Sequence, residues 1–221
     1  MTALAHEAPE IEATVPESPV RHVPDVPDLD EVLWQAWKAM ELPEGFRAEI
    51  IEGAIEVSPT GRANHGRIHN RLRRALDAFL AESEYAAYQD FNVVHDRKVW
   101  IPDIIVAPED DEPHLDEDGL GFNASAVALV VEVVSPGHRD RQRDRARKRR
   151  EYARAGIPVY VLVDSHDEGG TVTVLTGPNP KKGDWVGEHR VPYGTGVTVP
   201  DGPLKGFAVT EDITGPVRPK D

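Results

Sequence analysis

Two carboxylates stand where carboxylates are costly. Asp103 lies in "VWIPDIIVAP" (99–108), directly after Pro102, and Glu132 lies among valines in "AVALVVEVVSP" (126–136). Both segments are apolar on both faces, the pattern of central strands covered from two sides. A carboxylate buried in such a strand is destabilising unless it is paired, hydrogen-bonded or bound to a metal. Each residue has a structural explanation: Asp103 can cap a turn after Pro102, and Glu132 can pair with an arginine. Converging from neighbouring strands, the two would instead form a hard-oxygen site suited to Mg2+ or Mn2+.

A cation is available in "SPGHRDRQRDRARKRREYARAGIP" (135–158). Residues 139–154 hold nine bases and three acids. In a helix over 139–155, Asp144, Lys148 and Tyr152 follow an i, i+4 spacing and share a narrow stripe. The spacing suits either an inward lysine or an exposed Asp144–Lys148 pair. Tyr152 and Ala155 favour burying the Lys148 side, while Ala146 and Ala153 favour the other. Arg139, Arg143, Arg147, Arg150 and Arg154 fall on the other face. With Arg67, Arg71 and Arg74 they form either a solvated surface or one that contacts phosphates. His65 and His69 are an i, i+4 pair, but there is no HExxH, no evident third ligand and no cysteine, which argues against zinc.

The elements that must position these residues can be read in order. Residues 28–40, "DLDEVLWQAWKAM", form an amphipathic helix with Leu33, Trp37 and Met40 on one face. Residues 47–59 form a hairpin turning at Glu52-Gly53. A helix over 63–83 carries the apolar stripe Ile68, Leu72, Leu76, Phe79 and Leu80. Strands follow over 85–95, 99–108 and 126–136, then the charged helix, stopped by Gly156 and Pro158. A central strand (159–164) and two edge strands (171–177, 184–194) complete an α/β (α+β) domain around a mixed sheet. The division is a disordered, acidic, Pro-rich tail (1–28), one domain (29–207) and a loose C-terminal tail (208–221).

The net charge of -14 is unevenly placed: residues 1–30 hold seven acids and one base, and "EDDEPHLDED" (109–118) holds seven acids without Lys or Arg. The rest is nearly neutral, so acidity does not argue against a nucleic-acid partner. The absence of cysteine, of a signal-peptide pattern and of an apolar run of roughly 20 residues predicts a soluble cytoplasmic protein without a membrane partner. No aromatic stacking platform of the RNA-binding type is visible along the chain.

Pro102-Asp103 followed by Glu132-Val133-Val134 resembles the PD-(D/E)XK nuclease pattern, with Val134 where that pattern carries lysine. Glu132, Ser135, Pro136, Asp144, Lys148, Tyr152, Ala155, Gly156, Ile157, Pro158 and Asp164 occur in an order similar to one branch, the Uma family of putative restriction endonucleases. Glu49 and Gly53 resemble that family's opening hairpin, and His65 also fits. The resemblance covers about residues 29–200. It implies a restriction-endonuclease-like fold and a metal-dependent endonuclease acting on DNA, with RNA left open. By the same resemblance, Glu49, Asp103 and Glu132 would hold Mg2+ or Mn2+, and Lys148 would point inward as the migrated catalytic lysine. Asp144 and Tyr152 would position Lys148, and His65 would lie nearby; on the phosphate-contacting reading of the charge pattern, Arg67, Arg71, Arg139 and Arg143 would contact nucleic acid. A homodimer is expected by analogy. The alternative is a catalytically silent nuclease fold that binds nucleic acid or a protein, for which the missing strand lysine argues.

Overall fold

A computed structural model describes residues 28–59 and 63–217 of the chain. The tail expected over 1–28 therefore lies outside the described residues except for Asp28. That residue caps α1 (Leu29–Lys38), its side chain accepting the Asp30 N–H. Helix α1 buries Trp34 against Ile50, Val94 and Val99, with Leu33 and Trp37 packed alongside.

Strands β1 (Phe46–Ile51) and β2 (Ala54–Pro59) pair only with each other. Their two-residue turn, Glu52-Gly53, has φ of 48° and 74°, the paired positive values that a tight hairpin requires. Helix α2 (Ala63–Leu80) follows, burying Ile68, Leu72, Leu76 and Leu80 against one face of the main sheet.

Each of the next two expected strands is broken. Residues 85–95 divide into β3 (Tyr85–Gln89) and β4 (Val93–His95), with Asp90 in the left-handed region between them. Residues 99–108 divide into β5 (Lys98–Trp100) and β6 (Ile104–Pro108) around Pro102, which has no N–H to give a ladder. Strands β4 and β5 join β7 (Phe122–Asn123) in a small separate sheet. Strand β8 (Leu129–Val133) is shorter than expected.

The charged helix is also not regular. Helices α3 (His138–Gln142) and α4 (Arg149–Arg154) flank a π-helical segment, Arg143–Lys148. Gly156, at φ 75°, ends it as predicted. Then come β9 (Val159–Asp164), β10 (Thr171–Asn179) and β11 (Asp184–Pro192).

The main sheet has the order β11-β10-β9-β8-β6-β3. Only β8 and β9 run parallel, so the sheet is mixed. This is the expected α/β architecture, with helices on both faces, although of the two expected edge strands β10 is internal and β11 is an edge, the opposite edge being β3. Along β8, Leu129, Val131 and Val133 face the α2 side, whereas Val130 and Val134 pack with Tyr152 and Tyr160 on the other. Alternation therefore turns Glu132 towards the kinked helix.

The loose tail expected from residue 208 is corrected over 208–217. β12 (Val197–Thr198) pairs with β13 (Ala208–Val209), and α5 (Glu211–Thr214) buries Ile213 in the α2-side core. Short apolar positions there close the core, although their local sequence is too brief to show periodicity. No helix among the described residues is long and apolar enough to cross a membrane.

Candidate active site

The break at Pro102 sets Asp103 at the head of β6, where Ile104 pairs with Val131 of β8. Asp103 is buried and heavily satisfied. Its Oδ2 accepts the Val133 N–H at 2.7 Å and lies 2.9 Å from His65 Nε2. The Arg47 guanidinium is 3.7 Å from Oδ1. The His69 ring nitrogen lies 2.6 Å from the Asp103 carbonyl. Both histidines thus contact Asp103.

Lys148 is fully buried and points inward. Its ammonium lies 2.9 Å from Glu132 Oε1, 2.7 Å from Glu49 Oε1 and 3.4 Å from the Ile101 carbonyl. Glu49 Oε1 also accepts the Ile101 N–H at 2.7 Å, while the buried Oε2 of Glu49 has no partner among the described residues. The π turn matters here. At the α-helical 100° per residue, Arg143 and Lys148 would point about 140° apart; an i→i+5 turn brings them to one side. Both are buried there, together with Asp144.

Two expected roles change. The Tyr152 hydroxyl donates to Glu132 Oε1 and so fixes the acid, not the lysine. Asp144 accepts from Arg143 Nε at 3.0 Å, and its carbonyl accepts the Tyr160 hydroxyl at 2.9 Å. Asp144 therefore neutralises the arginine beside Lys148. Val134, in the usual lysine position, is packed with Tyr152 and Tyr160, so a lysine there would enter an apolar cluster.

The basic helix face is largely engaged within the molecule. Arg147 donates to Glu52 (3.1 Å), to Glu56 and to the Ile51 carbonyl (2.9 Å). Arg150 binds both oxygens of Glu52 at 2.7 and 3.1 Å. Arg154 pairs with Glu151 at 2.7 Å. These arginines lash the β1–β2 turn to the kinked helix and so hold Glu49 against Lys148. Arg139 is exposed and lines a cleft of about 510 Å3 with Ser58 and Arg143. Arg67 is exposed on α2, and Arg71 donates to the Ile213 carbonyl at 3.4 Å.

Arg47 was not anticipated. It lies two residues before Glu49, and a strand's period of two sets both on one face. That alternation in "RAEII" was the available signal.

The buried charges shift one another. Burial, aided by repulsion from Asp103, Asp144 and Glu49 and opposed by Lys148, raises the Glu132 carboxyl to about 7. For Asp103 burial acts upward, but the hydrogen bond and charge of His65, with Arg47, outweigh it and bring the carboxyl to about 2. His65 is raised: burial acts downward, and the bond to Asp103 overrides it. Raised groups stabilise the fold below their unfolded values and lose that contribution as pH rises through the folded ones. With chelator present, Tm is therefore expected to fall between pH 5 and pH 8, by on the order of 5 °C. Asp103 contributes with the opposite sign, its stabilisation being lost only from about pH 4 down to about 2. Thermal melts across this range check both limbs, and a Tm that rises steadily from pH 5 to 8 would contradict the charge arrangement.

Glu49, Asp103 and Glu132 present only carboxylate oxygens, the donor chemistry of Mg2+ and Mn2+. The unpartnered Oε2 of Glu49 is an acceptor that a cation would satisfy. The set is not a preformed cage, however. Among the described residues no group of three or more His, Asp or Glu is placed to hold a metal ion. The Lys148 ammonium stands between Glu49 and Glu132.

Residues 34–208 match the sequence model of a family described as "Uma2: Putative restriction endonuclease". A solved structure from Anabaena variabilis ATCC 29413, described as a putative nuclease belonging to DUF820, superposes with a TM-score of 0.58 at 19% identity, covering 84% of this chain and 96% of that one. At that identity the likeness speaks to the fold. No curated protein matches the chain.

Proposed function

Since the chain belongs to the Uma2 family of putative restriction endonucleases, we propose that it is a divalent-metal-dependent endonuclease hydrolysing phosphodiester bonds in DNA. The observation that carries this reading is the buried ammonium of Lys148 against Glu49 and Glu132, with Asp103 on the adjoining strand. Glu49, Asp103 and Glu132 would hold the ion, Mg2+ or Mn2+. When bound, it supplies Lewis-acid polarisation of a phosphoryl oxygen.

The chain's own groups do the rest. His65 and the Val133 N–H orient Asp103. Tyr152 orients Glu132. Lys148, its carboxylates shared with the ion, offers its ammonium to charge developing on the phosphate. Arg47 and Arg143 add positive charge beside the carboxylates. Arg139 and Arg67, both exposed, contact the backbone of the nucleic acid.

A catalytically silent binding module is the second reading. It is favoured by Val134 in the lysine position and by the absence, among the described residues, of a preassembled metal group. Incubating supercoiled plasmid, single-stranded DNA and RNA with Mg2+, with Mn2+ and with chelator separates the two. The endonuclease reading expects cleavage with metal and none with chelator. No cleavage of any substrate, together with a Tm that Mn2+ does not raise, would leave the silent module.

A further inference from the structure

A second concavity of about 510 Å3 lies beside the carboxylates, walled by Trp37, Met40, Leu42 and Phe46. These residues come from α1, the segment after it and the start of β1. Ala48 and Ile101 also line it. The first precedes Glu49, and the second both donates to Glu49 and accepts from Lys148. Arg47, which also lines it, reaches Asp103 at 3.7 Å, so the groove adjoins the candidate site. Trp37 is fixed as a wall because its indole N–H donates to the Ala48 carbonyl at 2.8 Å and its ring stacks on Trp34. Phe46 is half exposed.

The charge of the lining is unusual for this chain. Among the described residues its charged lining is Lys38 and Arg47, with no acid, in a protein of net charge -14. Lys38 is held by exposed Asp118 at 3.0 Å. Arg47 spans the groove and the site: its guanidinium is 3.5 Å from Asp90 and 3.7 Å from Asp103, and its buried Nε has no hydrogen-bond partner among the described residues. An aromatic wall beside a cation fits a ligand with a flat apolar part and an anionic part. Aromatic side chains bind bases through their π-faces once the bases are unpaired, whereas bases inside a duplex are stacked and inaccessible.

We infer that this groove seats an unpaired nucleobase against Phe46 and Trp37, with the adjoining phosphate on Arg47. The inference rests on the endonuclease reading for the identity of the neighbouring site. It names the substrate class: single-stranded or locally unpaired nucleic acid. Sequence alone showed no stacking platform because Trp37 and Phe46 come to line one concavity only through the packing of α1 on the hairpin.

The test is equilibrium binding in chelator at fixed salt, since salt alone changes affinity. Labelled single-stranded DNA, single-stranded RNA and a DNA duplex are compared. The expected result is single-strand binding at least about tenfold tighter than duplex binding. Phe46→Ala should lower single-strand affinity about tenfold and leave duplex affinity unchanged, while Phe46→Trp retains the preference. Because Phe46 is half exposed, both variants should melt like the parent. Either sugar in the preferred strand supports the groove. Equal affinity for strand and duplex would overturn it, as would a Phe46→Ala effect on both or neither. Self-association abolished by Phe46→Ala would assign the groove to a second copy of the chain and also overturn it. Binding without chelator-sensitive cleavage would sink the endonuclease reading and keep this one. Chelator-sensitive cleavage of single strands at a rate and KM unaffected by Phe46→Ala would do the reverse.

Discussion

Lys148→Met is expected to lower metal-dependent cleavage by about 10²-fold or more and, in chelator, to destabilise the protein by about 3–5 kcal/mol. The second effect follows from burial. The ammonium is fully enclosed and contacts Glu49 and Glu132 within 3 Å. Methionine keeps much of the volume but leaves two carboxylates facing each other without a counter-charge. A loss of activity could then reflect unfolding, so the prediction needs a second readout. Mn2+ should restore more stability to Lys148→Met than it adds to the parent, because the ion no longer competes with an ammonium for the same oxygens. Thermal melts with chelator and with Mn2+ measure this independently of turnover. A variant that is folded in Mn2+ and cuts as fast as the parent would remove Lys148 from the mechanism.

Asp103→Asn tests the other strand. The substitution keeps size and leaves an oxygen for the Val133 N–H, so the fold should survive. It removes the charge that would hold the ion. Cleavage should fall by about 10²-fold or more, and the gain in Tm from Mn2+ should disappear. His65 supplies a readout of geometry. Its imidazole is held above its ordinary value by Asp103 against the opposing effect of burial. With Asn at 103 the support goes and burial remains, so the His65 pKa should drop. Titration of the histidine ring by NMR follows this directly. An unchanged His65 titration would show that Asp103 does not hold the ring, and an undiminished Mn2+ stabilisation would show that Asp103 is no ligand.

Both variants act on carboxylate chemistry that stands out in the sequence itself, for a physical reason. Asp103 and Glu132 are polar exceptions inside apolar runs, and the cost of burying charge makes such exceptions conspicuous along the chain. The hairpin turn was equally legible, since Glu52-Gly53 lies between two strand-like segments and Gly tolerates positive φ. The strand cores within 126–136 and 159–164, the α2 stripe apart from exposed Phe79, and the Gly156 stop followed from periodicity and backbone chemistry in the same way.

Other features could not be read locally. The apolar residues of the charged helix were divided between two faces, so periodicity did not say which side was buried. The π turn changes the period itself, and it forms where Arg143, Asp144 and Lys148 all find partners inside. Arg147 and Arg150 have the spacing of a free basic surface, yet the hairpin turn folds against them and takes up their charge. Arg47 gains importance only through Asp103, far along the chain, and the 208–217 segment packs through a few apolar residues with no repeat to announce them.

The sequence by itself singled out Asp103 and Glu132 among the buried carboxylates and determined the coarse order of the main elements and the family likeness, because local propensity and the cost of desolvated charge act on each residue within its own segment. Only the tertiary structure decided which cations those carboxylates meet, which aromatics line one groove and which way Lys148 points. Those depend on distances between segments far apart in the chain, and Coulomb and hydrogen-bond energies are set by distance in space, not by position in sequence.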